Sequence, residues 1–166
     1  MNNSNSLDYA IDQYINALLY QQENYGYINS YSALISLSAL DGSDKGKNEH
    51  YEEIFLQNIK NGIYGNKVKS HIQRNSNGVP AFYHISTNEC ESANYRIYLN
   101  CKAKNVASLA DAFARELKND SYYFKFNSNQ SNSRRSEQFV FYINEKNLNI
   151  ICQKIQLVRQ KYPRAF

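Results

Sequence analysis

Three stretches of this chain alternate apolar and polar residues with a period of two, and that alternation restricts the fold more than any other feature. In residues 95–101 (YRIYLNC), Tyr95, Ile97, Leu99 and Cys101 fall on one side and Arg96, Tyr98 and Asn100 on the other. In residues 122–127 (YYFKFN), Tyr122, Phe124 and Phe126 oppose Tyr123, Lys125 and Asn127. In residues 138–143 (QFVFYI), Phe139, Phe141 and Ile143 oppose Gln138, Val140 and Tyr142. Successive side chains of a strand point to opposite faces, so each stretch predicts a strand with one buried side. Between the first two lies a helical pattern, with Asn105 placed to cap it and Val106, Leu109, Phe113 and Leu117 as its apolar stripe. A last helix carries Leu148, Ile151, Cys152, Ile155 and Val158 on one face. The expectation is an α+β fold: a helical N-terminal half, then an antiparallel or mixed sheet covered by helices on one face.

The remainder of the chain fits around that unit. Residues 1–6 (MNNSNS) lack apolar groups to offset ordering entropy and are expected to be disordered. Residues 7–63 read as the helical part. Leu7, Ile11, Tyr14, Ile15 and Leu18 recur at helical spacing, as do Tyr27, Tyr31, Leu34 and Ile35, the latter among serines that lower helix propensity. Residues 41–49 (DGSDKGKNE) form a loop, and Tyr51, Ile54, Phe55 and Ile59 an amphipathic helix closed by Asn61-Gly62. From residue 66 the period changes to two. Residues 67–73 and 81–86 predict a hairpin across the turn Asn75-Ser76-Asn77-Gly78, with Pro80 opening the second strand. At 166 residues the chain is expected to be a single domain, with residues 66–166 its sheet-containing core.

Composition removes several function classes. Hydrophobic residues are 42% and charged residues 20%, and no apolar run approaches the ~18–20 residues of a membrane helix. No secretory signal follows Met1, so any export would use another route. Cys90, Cys101 and Cys152 are widely spaced and make neither a metal quartet nor an even disulfide set, and Cys101 and Cys152 are expected in the core. The three histidines are scattered, which argues against a zinc site. A net charge of +4 without dense Lys/Arg clustering favours a local anionic ligand over nucleic acid. Nucleophile elbow, P-loop and dinucleotide fingerprint are all missing from the sequence.

What is left is the polar side of the strands. Arg96, Tyr98, Asn100, Lys125 and Tyr142 share it, and Ser133-Arg134-Arg135 precede the last strand. Two or three cations with neutral donors suit a phosphate or carboxylate, Arg by a forked contact and Lys as a compact charge. The same residues also suit an ordinary solvated face of a half-buried sheet. Lone His84 reads as a satisfied or exposed imidazole before it reads as a catalyst.

VPAFYHIS, YRIYLN, a helix, YYFKFN and RRSEQFVFYI, in this order, resemble the HopA-type effector family of plant-pathogenic bacteria. Members of that family carry a GFY strand, an Arg-x-Tyr-x-Asn strand, an F-x-F-K strand and a VLY strand, and its relatives include lyase components of lanthipeptide biosynthesis. The likeness spans residues 80–166, and because the chain stops at YPRAF where members continue, a C-terminal piece is expected to be missing. More distantly, the same strands are similar to the phosphothreonine lyase effectors of enteric pathogens. That similarity implies binding of a phosphorylated Ser/Thr peptide and β-elimination of its phosphate without metal or cofactor. It places the catalytic roles on Lys125, Tyr98 and Arg96, and the phosphate grip on Arg96, Lys125, Arg134, Arg135, Tyr142 and Asn100.

Two substitutions separate this chain from that pattern. The base lysine of the lyases falls on Arg96, which stays protonated, and their acid histidine on Tyr98, which needs tuning to donate a proton well. Lys125 serves as base only if Arg96 and burial depress its pKa. The resemblance implies a bacterial protein that stays in the cytoplasm or enters a host cell by a non-Sec route such as type III secretion. The other reading is a non-catalytic virulence module that docks a host protein or a secretion chaperone, with no membrane span.

Overall fold

The alternating stretches form one wholly antiparallel five-stranded sheet in the computed structural model of the chain. The structure describes residues 15–16, 18–19, 22–24, 49–87, 93–128 and 137–166. The chain divides into two compact units, residues 1–43 with 134–136, and residues 44–133 with 137–166. In the first unit the described residues are helical, and Ile15, expected on an apolar stripe, is 47% exposed. The expectations for residues 1–6, for a helix over 27–40, for most of the loop at 41–49, and for Cys90, Arg134 and Arg135 fall outside the described residues.

The second unit runs α1 (Glu49–Lys60), β1 (Lys69–Arg74), β2 (Pro80–Ser86), β3 (Tyr95–Asn100), α2 (Val106–Glu116), β4 (Tyr123–Asn127), β5 (Glu137–Ile143) and α3 (Leu148–Lys161). Strand order is β1-β2-β4-β5-β3, so β1 and β3 are the edges and β4 is central. The hairpin turn is built by Asn75, whose Oδ1 accepts from the N–H groups of Asn77 and Val79, both at 3.0 Å. Gly78 supplies the left-handed residue there, at φ 76°.

Helices α1, α2 and α3 pack into one aromatic core. Phe113 of α2 meets Phe124, Phe139 and Phe141 edge-on, with ring centroids 6.4, 5.2 and 5.0 Å away. Phe55 of α1 meets Phe126 at 5.7 Å, and Ile151, Ile155 and Val158 of α3 close the layer. Each fully buried ring of this kind removes apolar surface worth about 2–3 kcal/mol. The α2 stripe of Val106, Leu109, Phe113 and Leu117 is buried as its spacing predicts.

Several expectations need correction. The buried stripe of α1 is Glu52, Phe55 and Ile59, while Tyr51 and Ile54 are 58% and 43% exposed. Glu52 goes inside because it accepts a hydrogen bond from Ser128 Oγ at 3.3 Å. Of the two described cysteines, Cys152 is an exposed thiol and Cys101 is in the core, since Ile151 and Ile155 already fill the inner face of α3. Asn105 makes no side-chain cap; a short 3-10 turn, Ala103–Asn105, leads into α2 instead. Finally, the sheet is not bare on its reverse face. Phe82, Val140 and Asn127 are only 8%, 6% and 5% exposed, so cover is not confined to the face packed by α1, α2 and α3.

Candidate functional site

Cross-strand register lays the reverse face out in rows. Ser86, Tyr123, Tyr142 and Arg96 pair successively across β2, β4, β5 and β3. The next row runs His71, His84, Lys125, Val140 and Tyr98 from β1 to β3. Paired residues on one face are close enough to touch, and here they do. His84 stacks on Tyr123 with centroids 5.8 Å apart, Tyr123 stacks on Tyr142 at 4.5 Å, and the Arg96 guanidinium lies 5.5 Å over the Tyr142 ring. The result is a continuous ladder of π-faces that ends in a cation.

The imidazole of His84 is fixed at both nitrogens. Nδ1 lies 2.6 Å from Tyr123 Oη and Nε2 lies 2.9 Å from Gln73 Oε1. Because the Gln73 oxygen only accepts, Nε2 carries the proton, and Nδ1 accepts from the Tyr123 hydroxyl. Burial, then the nearby Lys125 and His71, hold the His84 pKa down at about 4, so the ring is neutral near pH 7. The expectation of a satisfied imidazole matches this geometry.

The candidate residues are brought together only in part. Arg96, Tyr98 and Tyr142 share adjacent positions, with Arg96 paired directly to Tyr142. Lys125 belongs to the same face, yet its Nζ sits 4.3 Å over the Phe82 ring on β2, the side away from β3. Strand spacing puts the Arg96 and Lys125 Cα atoms roughly 12 Å apart, two strands across and one pair along. The two cations therefore flank the Tyr142–Tyr123 stack. Asn100 lies roughly 13 Å along β3 from Arg96, beyond the irregularity at Leu99/Asn100 that pairs it with Glu137. His84 and Tyr123 are the members that sequence reasoning passed over. The signal was present, since Phe82, His84 and Ser86 alternate with the core residues of β2, but only the β2–β4 register places them beside Lys125.

Among the described residues no group of three His, Cys, Asp or Glu side chains could hold a metal ion, and no helix is long and apolar enough to cross a membrane. Neither family models nor curated proteins give a match to this chain. Among solved structures, the fold is similar to that of the effector protein from Pseudomonas syringae pv. tomato strain DC3000. The two share 14% sequence identity at a TM-score of 0.57, over 91% of this chain and 68% of that one. At that identity the likeness is one of fold.

Proposed function

We propose that the protein is an effector that binds a phosphorylated Ser/Thr peptide across the reverse face of its sheet. One observation carries this reading: two cations, each seated on an aromatic ring, stand on either side of the half-buried Tyr123–Tyr142 stack. The Arg96 guanidinium lies over the Tyr142 ring, and the planar fork of its N–H groups suits a bidentate contact with a phosphate. Tyr98 and Tyr142 are neutral donors beside it. Lys125, across the stack, suits a second anionic group of the same extended peptide. The motif likeness also assigns the grip to Arg134 and Arg135, which fall outside the described residues, and to Asn100, which lies too far along β3 to share one phosphate with Arg96. The fold likeness to a bacterial effector and the motif likeness to HopA-type effectors both support placing the protein among factors delivered to a host.

Elimination of the phosphate asks for more than a grip. A base must take the Cα proton as the Cβ–O bond breaks, and an acid must protonate the departing phosphate. Arg96 is a poor base, and Lys125 leans away from Arg96 and Tyr98. The reading is therefore binding without turnover.

The test is fluorescence anisotropy with a phosphothreonine peptide and its unphosphorylated twin, followed by mass spectrometry of the recovered peptide. The phosphopeptide should bind at least tenfold more tightly, Arg96→Gln/Lys125→Gln should abolish that preference, and the peptide should return with its phosphate. Equal binding of the two peptides would sink the proposal in favour of a docking module, which the exposed Tyr95 and Tyr98 of edge strand β3 suit. Loss of phosphoric acid from the peptide would instead establish the lyase.

A further inference from the structure

At one end of the sheet lies a cleft of about 450 Å³, walled by residues 64–68 of the α1–β1 connection, by Thr87, and by residues 118–121 between α2 and β4. Small-molecule sites occupy roughly 300–1,000 Å³, so the space exceeds what a bare ion needs. We infer that this cleft is a second anion site, separate from the reverse face of the sheet, that takes a phosphate monoester.

The charge of the lining points to an anion. Lys67 and Lys118 line opposite walls, and no ion pair or hydrogen bond from either ammonium occurs among the described residues. Asp120 is the lining acid, and it is already matched, since Lys154 Nζ donates to its Oδ2 at 2.5 Å and also to the Glu116 carbonyl at 2.9 Å. The residues lining the cleft thus carry a net positive charge. Thr87 adds no competing group: its Oγ1 accepts from the Tyr122 N–H at 2.9 Å.

The backbone points the same way. The N–H groups of Asn66, Lys67, Asn119 and Ser121 find no acceptor among the described residues, although their neighbours in the same turns do. Amides that follow a left-handed residue can gather into an anion-binding concavity. Gly65, at φ 109°, supplies that residue directly before Asn66 and Lys67. The Lys118 carbonyl oxygen of the other wall lies nearby, at 3.9 Å from where a Cβ on Gly65 would stand, an ordinary contact distance. Four exposed amides without a protein acceptor among the described residues, with two lysines on the same lining, suit the many acceptor oxygens of a phosphoryl group. The volume beyond them leaves room for the rest of a small ester.

The test titrates the ¹⁵N-labelled full chain with inorganic phosphate, against sodium chloride at equal ionic strength, and follows the amide spectrum. Saturable shifts are expected at Asn66, Lys67, Asn119 and Ser121. Lys67→Gln/Lys118→Gln should weaken the fitted affinity at least tenfold while keeping a dispersed spectrum, and Arg96→Gln/Lys125→Gln should leave it unchanged. Shifts that follow chloride, that fail to saturate, or that survive the Lys67/Lys118 double substitution would overturn the inference. Because the two double variants address different faces, this outcome is independent of the phosphopeptide reading.

Discussion

His84 links the architecture of the reverse face to a quantity measurable without any ligand. Its pKa is about 4 in the folded chain against an ordinary 6.5, with burial the first cause and the Lys125 and His71 charges next. A depressed basic group is neutral when folded, so between about pH 4 and 6.5 the unfolded chain binds more protons and stability rises with pH. At full value that gap corresponds to about 3 kcal/mol. The ring is only half-buried, so solvent screening reduces the expected contribution to about 1.5–2 kcal/mol. This stability is present above pH 6.5 and is lost as pH falls toward 4. Urea denaturation at half-unit pH steps should show the slope, and His84→Gln should flatten it in that window. Histidine-ring NMR supplies the direct reading, namely a resonance titrating near pH 4 with the proton on Nε2. A ring that titrates near 6.5, carries its proton on Nδ1, or leaves the two pH–stability curves parallel would refute the reasoning.

Three further substitutions test the packing. Tyr122 has its hydroxyl buried with no partner, so Tyr122→Phe should stabilise the fold by about 1 kcal/mol or more in thermal and chemical melts. Phe113→Ala removes the ring that meets Phe124, Phe139 and Phe141, and should cost about 3–5 kcal/mol by urea titration. Gly62 adopts φ 71°, and a Cβ there would lie 2.7 Å from Asn66 Oδ1. Gly62→Ala should therefore lower stability by about 1–2 kcal/mol and shift the amides of residues 62–66.

Which residues of the sequence were readable follows from what their neighbours demand. Sidedness in β3, β4 and β5 was legible because a period of two is intrinsic to a strand, and Phe124, Phe126, Phe139 and Phe141 all went inside as their parity required. Register was not legible, since nothing in AFYHIS says that His84 pairs with Lys125 and not with a residue two places away. Helix α1 shows the limit of composition: its periodicity offered Tyr51 and Ile54, but the inner face went to Glu52 because Ser128, 76 residues later, supplies a hydrogen bond. Cys152 failed for the same kind of reason, as its place on the stripe depended on how far α3 rolls against α2. The candidate site was half legible, as a list of residues on one face but not as distances between them.

Those distances support the proposal of a grip over that of a reaction. A lyase needs base, acid and phosphate cradle within contact of one substrate carbon and one oxygen. On this face the strongest positional match to the cradle, Arg96, is tied to Tyr142, while Lys125 stands over Phe82 on the far side of the tyrosine stack. The titratable group that the register adds beside Lys125 is His84, and a base with a pKa near 4 has little drive to remove a carbon-bound proton. Moving Lys125 toward Arg96 would bring two cations together and lower the lysine pKa, which is the direction catalysis would need, but it would also forfeit the contact with Phe82, worth about 0.5–2 kcal/mol. The proposed grip would use the cations where they stand; elimination would require that contact to be given up first.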